Sequence, residues 1–541
     1  LPENLAFSMR AFVFTVTFLA SGIPGYVLSN NIQVTNATLN GNNGTSVKVQ
    51  FDLTWENSWR GGGVVNWDAA WVFVKFRSAN GSWQHAQLAS SGHSVPSSAQ
   101  LHMGTWDVDQ AYDAVSNPVV GVFISRATDG SGNFTASGIQ LDLPYASMGF
   151  GFNDLQEVKV FAIEMVHVNQ GAFYVGDGNT YNGELGGNWS WGYPEFGNPA
   201  QPYHITSEGP IPLGMGPGLL GGGGTILENA GSQLAISYPK GYRAFYCMKY
   251  EITQQQYVDF LNTLPRVLQA QRVLTDLGPA VTTVTNTYVL KNSSSLMHRN
   301  GVRCSGTIPA DAPIQFICDL NGNGVGGEAN DGLWVACDGL TMNDLMSYLD
   351  WSGLRPMTEL EFEKACRGPL LPVSMELVYG ATSHGASNLA ITNSGQSNET
   401  ISSGYSPLGN SHHIWESTAP YIDGPLRVGI CAAHASNTGR VSSGASYYGI
   451  MDMQGNVLER TIMAIPGYIV EHGDGVLFEQ NEFLQPSQYA QPRGWSWFGP
   501  YLPYTIYTMC SRPWDSGDGS YLAGFSAQRH GFGGRGVRTA P

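Results

Sequence analysis

The sequence predicts an α+β protein, with an N-terminal β-sandwich followed by a larger mixed domain rich in irregular structure. Three observations carry that expectation. At 541 residues the chain exceeds what one hydrophobic core organises, so two or more domains are expected. Charged residues are only 13% of the chain while glycines number 68, a composition of turns and long surface loops. Apolar residues alternate with polar ones over residues 31–157, whereas helical periodicity with capping signals enters further on.

The charge balance narrows the partners. Forty-two acidic against 26 basic residues give a formal net charge of −16, with no Lys/Arg cluster, so a nucleic acid is not an expected partner. An acidic surface suits oxygen-ligated cations, Ca2+ above all. No stretch is long and apolar enough to span a bilayer. Asn-x-Ser/Thr sequons at Asn36, Asn43, Asn80, Asn133, Asn188, Asn292 and Asn398 make glycan acceptors available. Seven cysteines leave at least one thiol unpaired within the chain. These features together suggest a secreted, extracellular or cell-surface protein.

Residues 1–30 admit two readings. Met9-Arg10 followed by Ala11 to Ala20 has the layout of a secretory signal, with Ser29 an acceptable residue before cleavage. The run also has a strand's composition, with Phe12, Phe14, Val16 and Phe18 on one face and Val13, Thr15, Thr17 and Leu19 on the other. Signal cores favour Leu and Ala, so the strand is the favoured reading. A strand apolar on both faces must pair inside its own fold or be donated to a neighbouring subunit. Donated head to tail, it need not close and yields a filament.

Residues 31–157 read as an interaction module. Val47, Val49, Phe51 and Leu53 alternate with Lys48, Gln50 and Asp52. Trp71, Phe73 and Phe76 belong to a second strand ended by Ser78-Ala79-Asn80-Gly81, and Val119 to Ile124 form a third. Short strands with regular turn signals argue for a β-sandwich. Trp55, Trp59, Trp67 and Trp71 are expected in core and edge packing rather than on a carbohydrate platform. No catalytic grouping stands out here.

The remaining domain, 158–541, opens with the strand Val158 to Val168. Tyr246-Cys247-Met248-Lys249-Tyr250-Glu251-Ile252-Thr253 runs into an amphipathic helix through Tyr257, Phe260 and Leu261. In Arg355-Pro356-Met357-Thr358, Thr358 is a good N-cap and Glu361 completes a capping box for a helix burying Leu360, Phe362 and Ala365. Tyr448-Gly449-Ile450-Met451-Asp452-Met453-Gln454-Gly455-Asn456-Val457-Leu458-Glu459, Arg493-Gly494-Trp495-Ser496 and Gly534-Arg535-Gly536-Val537-Arg538 follow.

These five ordered blocks resemble the formylglycine-generating (sulfatase-modifying) enzyme domain. The resemblance implies a C-type-lectin-like fold and a calcium site with Asn456 and Glu459 as ligands; a hydrogen-bonded turn accounts for those residues equally well. It also implies two cysteines binding copper(I) after the Arg493 block. Gly499 stands where the first belongs, and Cys510 is the only cysteine from Arg493 to Pro541. One thiolate cannot make a two-coordinate site, so copper is not expected. The iron-binding branch of the superfamily is not matched either: no His-x-x-x-His-x-Glu run occurs, and the adjacent pair His412-His413 is a poor ligand set.

An insertion at 265–345 carries Asp319-x-Asn321-x-Asn323-Gly324, the opening of an EF-hand-type loop. Its closing glutamate is displaced: Glu328 comes early and Asp331 follows the usual position. Ca2+ bound by Asp319, Asn321, Asn323, Glu328 and Asp331 is expected, against a bland Gly/Asn turn. Cys318 and Cys337 bracket the loop as a possible disulfide, with Cys304 a rival partner, while Cys366 is expected as a buried apolar residue.

Two function classes follow. The favoured one is a non-catalytic structural protein, a filament or fibril subunit whose partner is itself, with glycans as possible further partners. The alternative is a copper-dependent formylglycine-generating oxidase or a lectin-like binding module using the same domain.

Overall fold

The computed structural model describes residues 31–61, 66–105, 118–176, 202–214, 218–221, 231–383, 389–412, 422–466, 473–477, 490–497, 509 and 530–541. Residues 1–30, with Phe12, Phe14, Val16 and Phe18, therefore lie outside the described residues, as do Asn188, His413, Gly499 and Cys510.

The alternation read from the sequence becomes eight strands: β1 (Gln33–Asn40), β2 (Val47–Arg60), β3 (Asp68–Arg77), β4 (Trp83–His85), β5 (Ala99–Thr105), β6 (Val119–Arg126), β7 (Gly130–Leu143) and β8 (Glu157–Val168). β1, β2 and β7 pair antiparallel in that order, with β2 against β7 from Val47↔Leu143 to Arg60↔Gly130. This sheet faces a second one across a shared core. Val49, Phe51, Leu53 and Trp55 of β2 meet Val72, Val74 and Phe76 of β3 and Val122 and Ile124 of β6.

The second sheet does not stop at the expected boundary of 158. β3 lies between β6 and β8, and β8 pairs with β3 along its whole length, from Glu157↔Arg77 to Val166↔Asp68. Beyond β8 the sheet continues into Phe245–Met248, then Gly536–Thr539, then Arg355–Pro356. One sheet thus runs through both expected domains. Its central strand β3 is buried on both faces, which is why it reads as a near-continuous apolar run. The charge inside that run, Lys75, is satisfied by the carbonyl of Gly475 at 2.8 Å and by His85 Nδ1 at 3.1 Å.

The ladder between Phe245–Met248 and β8 covers only Met165 to Val168, extended by Lys249 N donating to Glu164 O at 2.9 Å. From Glu157 to Ile163 the second edge of β8 has no strand partner among the described residues. Burial follows the pairing: Ile163–Val168 are buried, whereas Glu157–Ala162 are half-buried.

The helices start where capping predicts. Thr253, Thr341 and Thr358 each cap a helix and close a capping box with Gln256, Asp344 and Glu361. The helix Glu359–Arg367 buries more than the expected Leu360, Phe362 and Ala365: all nine of its residues are buried. Its charges survive burial through specific partners. Arg355 makes a two-pronged pair with Glu361 at 2.6 and 2.8 Å, and Arg493 meets Glu363 at 2.6 Å and Glu359 at 3.5 Å. Lys364 donates to the carbonyls of Gly241 and Tyr242, and Arg367 pairs with Glu376 at 3.0 Å.

Removing one partner of such a pair strands a charge in the interior. We expect Arg355→Met to destabilise the chain by about 3–5 kcal/mol in guanidinium unfolding. Adding Glu361→Gln in the same chain should recover part of that loss; an unchanged midpoint for Arg355→Met would show that the pair is not needed.

Candidate functional site

The five sequence blocks converge on one buried framework. Glu251, from the first block, accepts from Asn456 Nδ2 at 2.6 Å and from Val457 N at 2.8 Å in the third. Glu459 accepts from Arg535 Nε, in the last block, at 2.6 Å. Gly494 lies at φ +80°, and a Cβ there would stand 2.4 Å from the Met453 carbonyl, so the fourth block needs glycine to press against the third. Burial, with Asp452 and Glu459 nearby, pushes the Glu251 carboxyl well above its usual range.

That geometry gives Asn456 and Glu459 structural partners. The Asn456 amide oxygen accepts from Leu426 N at 2.8 Å while its nitrogen serves Glu251, and Glu459 is held by Arg535. The hydrogen-bonded turn is present, with Glu459 Oε2 buried and without a hydrogen-bond partner.

The six described cysteines are all buried free thiols: Cys247, Cys304, Cys318, Cys337, Cys366 and Cys431. The expected Cys318–Cys337 disulfide is therefore corrected, and Cys304 replaces neither partner. Cys318 belongs to the strand Phe316–Cys318, which pairs with Val302–Cys304, so hydrogen bonds close this hairpin. Burial pushes every one of these thiols up, Cys247 to about 12 and Cys304 to about 11, so none is a ready thiolate. Cys366 is the buried apolar residue expected of it.

The 319–331 loop gathers its oxygen-bearing side chains. Asn321 Nδ2 donates to Glu328 at 3.0 Å, Asn330 at 3.0 Å and Asp331 at 2.8 Å, and Asn323 Nδ2 also donates to Glu328. Asp319 and Asp331 are fully buried. Asp319 Oδ2 takes Arg303 and Gly324 N, whereas its Oδ1 is buried with no partner. Among the described residues no group of three or more His, Cys, Asp or Glu is arranged as a metal cage. An amide nitrogen occupies the centre on which the oxygens converge.

A cleft of about 850 Å3 separates β2 from the C-terminal half, with Trp59, Lys249, Glu399, Arg427, Tyr447 and Tyr448 in its walls. Two of the four tryptophans named above, Trp55 and Trp71, are core; Trp59 and Trp67 are half-buried. Lys249 stacks under Trp59 at 4.9 Å and pairs with Glu164 at 3.1 Å and Asp68 at 3.7 Å. This buried cluster ties β3 and β8 to the first block. The signal for it was a charge standing alone in the apolar run Cys247-Met248-Lys249-Tyr250. Of the sequons, Asn36, Asn43, Asn80, Asn133 and Asn292 are exposed, while Asn398 is half-buried in the cleft wall.

Residues 222–502, just over half of the chain, match the family model of the sulfatase-modifying factor enzyme 1-like domain. No curated protein matches the chain.

His412 is buried with Nε2 against the Gly424 carbonyl at 3.0 Å, and burial lowers its pKa to about 4, helped by Arg299. The unfolded chain takes up this proton near pH 6.5 and the folded one only near 4, so stability present above 6.5 declines as pH falls through that window. We expect His412→Gln, which keeps a donor for Gly424, to flatten the stability profile between pH 6.5 and 4 by up to one proton. Parallel profiles for the two chains would contradict a neutral buried imidazole.

Proposed function

Since the chain belongs to the sulfatase-modifying factor enzyme 1-like domain family, we propose that it keeps the family scaffold without the chemistry and serves outside the cell as a self-assembling structural subunit. The N-terminal strand joins one subunit to the next, and the facing sheets of residues 31–157 act as a β-sandwich interaction module. The observation that carries this reading is a mismatch of two parts. The sequence of residues 11–19 reads as a strand apolar on both faces, and among the described residues β8 has no strand partner over Glu157–Ile163.

The non-catalytic half of the reading is supported by the thiols. Six cysteines are buried and held as thiols, and the seventh, Cys510, stands alone after Arg493. A copper(I) site of the family's kind needs two soft thiolates. Fibrils in negative-stain electron microscopy of the full chain, lost when residues 1–22 are deleted, are the expected result. Monodisperse particles from both forms, or one equivalent of tightly bound copper(I) with peptide turnover, would overturn the reading in favour of the oxidase.

We also propose that the 319–331 loop takes Ca2+ as a structural ion. The buried, partnerless Asp319 Oδ1 supports it, and rotating the Asn321 amide would present oxygen in place of nitrogen. Bound only by the folded state, the ion would raise the melting temperature. Ca2+ should raise Tm for the full chain by several degrees and leave Asp319→Asn unmoved; the absence of any shift in the parent chain would reject the site.

A further inference from the structure

We propose that Lys249 and Asp68 condense to a covalent amide inside the folded chain, with Glu164 as the proton carrier, so that a side-chain cross-link joins β3 to the first block. Such a link forms within one chain and needs neither a cofactor nor a second molecule.

The three groups meet in the interior. Asp68 stands on β3, Glu164 on β8, and Lys249 directly after Phe245–Met248; their side chains are 0%, 3% and 2% exposed. Lys249 Nζ donates to Glu164 Oε2 at 3.1 Å and stands 3.7 Å from Asp68 Oδ2, in contact but beyond a good hydrogen bond. Trp55 is buried alongside, and the rings of Trp59 and Tyr250 lie 4.9 and 5.4 Å from the ammonium. One cation thus faces two carboxyl groups among aromatic rings, where ionised forms are costly to keep. Burial pushes the Asp68 carboxyl above its usual range and the Glu164 carboxyl up to about 7, against the opposing pull of Lys249. Near neutral pH, Glu164 therefore holds a proton in about half of the molecules.

Hydrogen bonds divide the roles between the two carboxyls. Asp68 Oδ1 accepts from Ser58 Oγ at 2.8 Å and from Trp59 N at 3.0 Å, while Oδ2 accepts from Trp55 Nε1 at 2.9 Å. The two donors on Oδ1 stand where negative charge develops when a nucleophile adds to Cγ. Glu164 lies against Nζ itself, placed to give and take a proton there. In the first step Lys249 passes one proton to Asp68, leaving a neutral amine and a carboxylic acid. Nζ then bonds to Asp68 Cγ, and the bond from Cγ to Oδ2 breaks. Glu164 gives its proton to the departing oxygen and takes one from Nζ. One water leaves, and Glu164 ends as it began.

The product replaces a buried ion pair by an amide with no charge to desolvate. Lys249 lies in the wall of the 850 Å3 cleft, which gives the released water a way out. The link closes a long loop between the two halves that share the sheet, a constraint on the unfolded chain. Lys291 and Asp338 offer an internal comparison. They are as buried and pair at 2.7 Å, but among the described residues no second carboxylate pairs with that lysine, so they stay an ion pair.

The test is peptide mapping by mass spectrometry of the full chain, purified folded and then denatured. The expected species joins the peptide holding Asp68 to the peptide holding Lys249, is lighter than their sum by one water, and escapes tryptic cleavage after Lys249. Glu164→Gln keeps the size of the side chain but has no acidic proton to carry, and in it the linked peptide should appear about a hundredfold more slowly. The parent chain is read directly, so a variant that fails to fold leaves the decision intact. Asp68 and Lys249 peptides recovered only unlinked from folded parent chain would overturn the cross-link. A link from Lys249 to Glu164 would overturn the assigned roles, and equal linkage of Lys291 to Asp338 would trace the bond to handling rather than to the buried triad.

Discussion

The C-terminal half is organised by charges that have no route to water. Glu359–Arg367 is buried along its whole length, so each ionised side chain needs a partner delivered from elsewhere in the sequence. Those partners come from far apart: Arg355 from the preceding strand, Arg493 more than a hundred residues on, and Glu376 from the following loop. Glu251 and Glu459 extend the same logic to Asn456 and Arg535. A chain with few regular elements is thereby fixed in place, because each buried pair defines one geometry and leaves a stranded charge in any other. Buried pairs of this kind add little net stability over an apolar core; their contribution is to the choice of fold.

That framework is coupled to the N-terminal half through β3 and β8. Lys249 closes the connection with Asp68 on β3 and Glu164 on β8, and Met451 N donates to Lys249 O at 2.9 Å from the third block. The two halves share a sheet. The shared sheet also explains the open edge. Phe245–Met248 is only four residues long and pairs with four residues of β8, while β3 engages ten. Among the described residues, a twelve-residue strand beside a four-residue neighbour is left with about half of one edge unpaired.

Local features were legible in the sequence and long-range ones were not. The capping box at Thr358 is decided within four residues, and alternation in β2 is decided within the strand, so both were readable. The boundary at 158 misled because a change in composition marks a new strand, not the sheet it joins; nothing local to Val158 says that β3 is its neighbour. Cys318 and Cys337 bracket a loop in sequence, but both are free thiols, and that loop is closed by Leu320 N donating to Asp331 O at 3.1 Å. The full burial of Glu359–Arg367 was invisible for the same reason: a charged helix reads as a solvated one until its distant partners are known.

A scaffold held by buried pairs is well suited to lose its chemistry. In the family's manner of working, the reactive group must be exposed to substrate and tuned, whereas the pairs that hold this fold are sealed from solvent and independent of it. What the described residues present is a shared sheet with part of one edge of β8 unpaired. Part of that edge carries no strand among the described residues, and an unpaired edge is where another strand can add.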